Sequence, residues 1–221
     1  MPALRALVIF GAGGLGSEVA ASVQRINSNA PMFDLLGFCD DDNTKRGTKL
    51  DGITVLGNPE DVSQSLQAKP AFLCAVGNNR SRQKLVARML ALGWEPCRIV
   101  DPSVVSASSA KVGTGSYVAA GAILSPMAEI GEHVIVNFSS SITHNVKLED
   151  FSQVAPGGRI SGFGVVRSGA FVASNAVVAP GVTVGAWATL GACSFAMHHV
   201  PDSTTAVGIP ARIVFRASSH Q

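Results

Sequence analysis

Two sets of residues in this chain of 221 have types and spacings that could do chemistry. The first is its histidines, His133, His144, His198, His199 and His220. An imidazole, with an ordinary pKa of about 6.5, can take a proton from an attacking amine or hydroxyl near neutrality. Three imidazoles converging on one point could instead hold zinc. On spacing alone, His144 in SSSITHNVKLEDF fits either a proton acceptor or a hydrogen-bonding side chain at an interface. The second set is Gly11, Gly13 and Gly16, a GxGxxG between the apolar run LRALVIF and a helical segment, with Asp40 at the end of the next apolar run. Such a loop lets a phosphate or another polar ligand approach backbone N–H groups at a helix N-terminus. The same glycines could merely permit tight strand-to-helix packing. A full dinucleotide site needs two such halves, and an α/β segment under about 100 residues makes only one, so NAD is not expected.

The elements around the loop alternate. Strands are expected at 4–10, Phe33–Cys39, Ile53–Leu56, Ala71–Val76 and Arg98–Val100. Helices are expected from about Ser17 to Ile26, from Pro59 to Leu66 with Asn58 as N-cap, and after GNNRSR through about Leu92. Alternating strands and helices predict a small parallel, Rossmann-like sheet over residues 1–100.

The histidines sit in, or just after, a different pattern. From Val112 to Leu190 an aliphatic residue returns every six positions, fourteen times without a gap, and Ile142 is one of them. The residue four places after each is small or is Val, from Ser116 to Ser194. An amphipathic helix would need returns at three and four residues. A six-residue period predicts stacked coils of β-helix type, with the aliphatic residue inside and the small one where the interior narrows. The repeat fills residues 101–195; residues 196–221 lose it and are expected to form a cap and tail.

Composition limits the rest. Hydrophobic residues make up 47% and charged residues 14%, against about a quarter charged in an average protein. The low share predicts that part of the surface is covered, most simply by identical subunits. A net charge of +2 argues for neither nucleic acid nor an anionic membrane surface. No apolar stretch reaches about 18 residues, so no membrane insertion is expected. The run at the start reads as a buried strand rather than a signal peptide. Cys39, Cys74, Cys97 and Cys193 lie in apolar stretches without CxxC spacing, as expected of buried, reduced thiols in a cytoplasmic protein.

The ladder resembles that of the hexapeptide-repeat acyltransferases, which implies a left-handed parallel β-helix with three hexapeptides per coil. Residues eighteen apart would then lie directly above one another. With GAGG.G at the start, DDD at Asp40–Asp42 and GNNRSR after a later strand, nearly the whole chain resembles one subfamily. It comprises the sialic-acid and bacterial sugar O- or N-acetyltransferases, including those acting on nucleotide-linked 4-amino sugars. The resemblance implies acetyl-CoA as co-substrate, no metal, and a homotrimer with each active site between two shafts. It implies N-acetylation of a UDP- or GDP-linked 4-amino-4,6-dideoxy sugar by direct attack, with His144 as general base and Asn145 beside it. Gln153, Gly162, Ser174 and Ala192 would contact the acyl-CoA, Gly162 through a backbone N–H on the oxyanion. Gly13, Gly14, Leu15, Asp40, Asp41 and Gly77 would contact the nucleotide-sugar.

Three positions depart from the family pattern. Leu15 and Gln153 each stand where the family has His, and Asn145 stands where it has an acidic residue. Glu149 or Asp150 could supply the missing negative charge. Two other readings of the same fold remain: sialic-acid-type O-acetylation, and a non-catalytic nucleotide-sugar-binding scaffold. A γ-type carbonic anhydrase would need three stacked imidazoles, and His133 and His144 are eleven apart rather than eighteen. If the neighbour's charge tunes the base, Asn145→Asp raises the pKa seen in the pH–rate profile; an unmoved profile overturns that electrostatic reading.

Overall fold

The computed structural model describes residues 4–216, so His220 and the end of the tail lie outside the described residues. The chain divides into two compact units between Pro102 and Ser103.

In the first unit the strands are β1 (Arg5–Phe10), β2 (Phe33–Cys39), β3 (Lys49–Leu50), β4 (Ile53–Gly57), β5 (Ala71–Cys74) and β6 (Glu95–Pro96). The sheet order is β3-β4-β2-β1-β5-β6, parallel except for the β3–β4 hairpin. Helices α1 (Gly14–Asn29), α2 (Pro59–Ser65) and α3 (Asn79–Ala91) connect the strands. From Ala6 to Phe10 the central strand β1 is continuously apolar because a parallel sheet is covered on both faces; Leu7, Val8 and Ile9 are fully buried. Asn58 caps α2 as expected, accepting from the Asp61 N–H.

Two expectations are corrected here. Helix α1 begins at Gly14, three residues before Ser17, with Gly13 extended at its N-cap. Close packing overrides the poor helix propensity of Gly16, since a Cβ there would lie 2.0 Å from the Gly11 carbonyl oxygen. The strand expected at Arg98–Val100 forms as Ile99–Val100, but the last strand of this sheet is Glu95–Pro96. Trp94 is buried with its ring centroid 6.5 Å from that of Phe72. Cys97 then donates to the Phe72 carbonyl at 2.9 Å, so the chain meets β5 earlier than its apolar pattern suggests.

The second unit is a three-faced stack of two-residue parallel strands. One face runs through Tyr117–Val118, Ile135–Val136, Gln153–Val154, Phe171–Val172 and Thr189–Leu190. The second runs through Ile123–Leu124, Ser141–Ile142, Arg159–Ile160, Val177–Val178 and Phe195–Ala196. The third runs through Lys111–Val112, Glu129–Ile130, Lys147–Leu148, Val165–Val166 and Thr183–Val184. Partners differ by eighteen residues throughout, for example Ile142 with Ile160. From Val118 to Leu190 every ladder residue is at most 4% exposed; only Val112, on the first coil, is half-buried. The small column is buried with it; there Ser116 Oγ donates to the Gly131 carbonyl and accepts from the Val134 N–H, both at 2.8 Å.

Each corner has one left-handed residue. From Gly115 to Cys193 every sixth residue has φ between 53° and 71°, and nine of these fourteen are not glycine. Cys193 occupies one of these turns instead of a ladder position, so it is exposed, which corrects the expectation of four buried thiols; Cys39, Cys74 and Cys97 are buried. Burial pushes the Cys39 and Cys74 thiols up to about 12. After the last coil, Thr204–Gly208 pairs parallel with Thr189–Leu190 and antiparallel with Ala211–Arg216.

The ladder makes register and burial one property. Ile142→Ala, between Leu124 and Ile160, is expected to cost about 2–5 kcal/mol. Denaturant titration would show it as a lowered midpoint at unchanged slope.

Candidate active site

His144 follows the strand Ser141–Ile142 at the corner between the second and third faces. It is exposed, and its ring lies over the Cα of Gly162 on the next coil. A Cβ at Gly162 would lie 2.5 Å from His144 Cε1 and 2.6 Å from Nε2. The imidazole thus fills the space that any side chain at 162 would need. Asn145 is the left-handed residue of the turn, φ 58°, a conformation Asn tolerates better than most residues. Its Oδ1 stands 3.2 Å from His144 Nδ1. An amide oxygen only accepts, so Nδ1 carries the proton and Nε2 presents its lone pair. On the far side of the ring is Phe163, with centroids 5.2 Å apart and planes at 83°. The Gly162 N–H is engaged by no backbone acceptor among the described residues.

This group can take a proton at Nε2 and offer a backbone donor one coil away. The other shaft residues expected at the site lie elsewhere on the same chain. Gln153 is buried on the first face. Ser174 and Ala192 stack at the corner between the first and second faces, following Phe171–Val172 and Thr189–Leu190. Glu149 and Asp150 are also one corner away from His144, which corrects the idea that either supplies its missing charge. Glu149 accepts from the Ser168 N–H at 3.0 Å, and Asp150 from the Glu132 N–H at 2.8 Å. His133 is buried at that same corner, stacked on Phe151 at 5.0 Å and 13°. His199 Nδ1 accepts from the Thr183 N–H at 2.9 Å. Among the described residues no group of three or more His, Cys, Asp or Glu is placed to hold a metal.

The first unit brings its own candidates together. Strand β1 lies between β2 and β5, and the loops after all three strands leave the same carboxyl edge of the sheet. That edge carries Gly13, Gly14 and Leu15 after β1, Asp40 and Asp41 after β2, and Gly77 after β5. It is where ligands bind in open α/β sheets. The glycines divide the work. Gly11 has φ 109° and passes so close to Ala75 that a Cβ would lie 2.7 Å from its carbonyl oxygen, whereas Gly13, Gly14 and Gly77 face open space. Gly13 offers no side-chain cap, and the first turn of α1 has no acidic residue. The turn's amides therefore suit an anion.

Asp40 braces this loop. It accepts from the Ala12 and Asp42 N–H groups and from Lys45 Nζ, each at 2.9 Å. Burial alone would raise its pKa, but these hydrogen bonds outweigh that and hold the carboxyl below the usual range. Asp41 is paired with Arg88, whose Nη1 reaches both carboxylate oxygens at 2.7 and 2.9 Å. Arg82 is buried and donates to the Val76 carbonyl at 2.9 Å beneath the Gly77 loop; burial lowers its guanidinium to about 10. Lys45, Arg82 and Arg88 carry no signal in the sequence pattern. Arg82 closes the GNNRSR run, but nothing in one sequence marks it as buried.

Residues 6–89 match the family model described as the PglD N-terminal domain. The chain is 29% identical over 165 residues to GDP-perosamine N-acetyltransferase of Escherichia coli O157:H7, covering 74% of this chain and 73% of that one. A crystal structure of a His-to-Asn mutant of perosamine N-acetyltransferase from Caulobacter crescentus, in complex with CoA and GDP-perosamine, superposes with a TM-score of 0.88. Its identity is 28%, over 96% of this chain and 98% of that one. The acetyltransferase domain of PglB from Neisseria gonorrhoeae FA1090, in complex with acetyl coenzyme A, gives 0.87 and 29%, over 96% and 100%. The expected fold class, a small Rossmann-like sheet followed by a left-handed parallel β-helix, is the fold of this chain.

The pairing of His144 with Gly162 is open to a direct test. Gly162→Ala should evict the imidazole and lower kcat by about 10²-fold or more, the scale of a lost general base. A circular dichroism spectrum and melting temperature like wild type would place the loss at the site.

Proposed function

We propose that this chain transfers the acetyl group of acetyl-CoA to the amine of a nucleotide-linked amino sugar, a reading supported by its PglD-type N-terminal match and its similarity to the GDP-perosamine and PglB acetyltransferases. The observation that carries the reading is the His144 imidazole, held at Nδ1 by Asn145 and lying on Gly162. His-substituted forms of the Caulobacter crescentus relative were crystallised with CoA and GDP-perosamine, which supports a histidine acting among those ligands.

The reaction follows from these groups. The neutral amine nitrogen attacks the thioester carbonyl and a C–N bond forms. His144 Nε2 takes the amine proton, and the Gly162 N–H donates to the oxyanion of the tetrahedral intermediate. The C–S bond then breaks, and coenzyme A thiolate leaves and recovers the proton from the imidazolium. No acyl-enzyme is needed. We assign the acceptor to the 4-amino-4,6-dideoxy type, GDP-linked as in the two perosamine N-acetyltransferases named above, with its nucleotide held by Gly13, Gly14, Leu15, Asp40, Asp41 and Gly77. Amide formation with a GDP-linked amine is favoured over sialic-acid-type O-acetylation, because the relatives carry N-acetyltransferase names.

Assembly as a homotrimer completes this reading. Gln153, Ser174 and Ala192 lie away from the His144 corner on the same chain, so they can serve one acyl-CoA at His144 only if a neighbouring shaft supplies them. No described helix is long and apolar enough to cross a membrane. A place in the cytoplasm, where acetyl-CoA and sugar nucleotides are made, accords with the chemistry.

Purified protein with acetyl-CoA and a panel of UDP- and GDP-linked amino sugars should release free CoA with the GDP-linked 4-amino sugar. Mass spectrometry should show a gain of one acetyl group, and His144→Ala should abolish turnover. No CoA release with any sugar, together with wild-type ligand binding by His144→Ala, would leave a non-catalytic scaffold instead. Light scattering that shows a monomer would remove the two-shaft site.

A further inference from the structure

Phe163 is poorly explained by the fold. It is 62% exposed, so it adds little to the core. It also holds a left-handed backbone, φ 60°, which is unusual for a bulky side chain. Met127, Phe151 and Trp187 hold the same turn conformation at other corners, so what singles Phe163 out is the ring it touches. Bulky residues in sparsely populated conformations gather at functional sites, where the surroundings hold them.

What surrounds Phe163 is the proposed base. Its ring meets the His144 ring edge-to-face at 5.2 Å and 83°, within the preferred range for aromatic pairs. Its N–H donates to the His144 carbonyl at 3.1 Å, so the backbone that carries the ring is tied to the residue the ring touches. The imidazole therefore has a neighbour on three sides: Gly162 beneath it, the Asn145 amide oxygen at Nδ1, and Phe163 beside it. The Asn145 amide oxygen favours the Nδ1-protonated form only while the ring stays turned toward it, 3.2 Å away. We propose that Phe163 is a positioning residue for acyl transfer, limiting rotation of that ring so that Nε2 stays directed at the incoming amine. It acts through His144 and needs no contact with substrate. The proposal rests on the function given above.

The test uses Phe163→Asn, which puts at this corner a residue that its φ suits, and Phe163→Tyr, which keeps the ring. Phe163→Asn should melt at or above the wild-type temperature with unchanged mass by light scattering. Its kcat should fall roughly tenfold, a fraction of what a general base supplies, with both KM values within about twofold. Phe163→Tyr should restore kcat. Nitrogen-15 imidazole spectra of the resting protein give a readout independent of turnover. Wild type should show one His144 tautomer, protonated at Nδ1, and Phe163→Asn an averaged pair. Unchanged kcat and spectra in Phe163→Asn would overturn the proposal. So would a loss confined to KM, which would make Phe163 a substrate wall, or a loss that accompanies dissociation of the assembly. If wild type releases CoA with no amino sugar, the functional reading fails, and the spectra alone decide whether Phe163 orients the ring.

Discussion

The turn at each corner is the constraint on which the shaft depends. A flat strand becomes a closed coil only if the chain bends every six residues, and here the bend is made by a residue in the left-handed region each time. For a residue other than glycine that conformation costs roughly 1–2 kcal/mol. Nine of the fourteen turns bear this cost. It is tolerable because each turn lets an aliphatic side chain reach the interior and each strand pair with the coils on either side. The cost is local and the return is collective, as expected of an array in which every repeat is stabilised by its neighbours.

That arrangement explains which parts of the site could be read from sequence. A residue's place in the six-residue frame states its face or corner, and eighteen residues state its vertical neighbour. The juxtaposition of His144 with Gly162 is therefore arithmetic. The same arithmetic separates residues that look close in sequence. Glu149 and Asp150 stand five and six places after His144, which is enough to turn the corner and commit them to other amides. Phe163 is illegible in the sequence for the opposite reason. It is exposed and outside the ladder, and only the edge-to-face contact with His144 gives it meaning.

The N-terminal unit obeys no such frame, and its legibility was of another kind. Apolar runs and turn residues located its strands well, because a buried parallel strand must be apolar on both faces. The loop glycines that face open space were recognisable as a motif. The ion pairs that support them were not. Arg88 meets Asp41 across 47 residues of sequence and Glu60 across 28, and no local pattern encodes a partner at that distance. Asp40 shows why this matters for function. Its carboxylate is already engaged by two backbone amides and Lys45, so its first effect is to shape the glycine loop.

The strict eighteen-residue register also limits how such a chain can change length. One residue added or lost within a coil would carry every later aliphatic side chain out of the interior and move each later turn off its corner. Adding or removing a whole coil leaves every side chain facing as before, and displaces the remaining coils by one strand spacing, about 4.8 Å. Shaft length is therefore a quantity with steps. The C-terminal hairpin beginning at Thr204 can approach or recede from His144 only in those increments, while the corner that carries His144 and Gly162 keeps its shape.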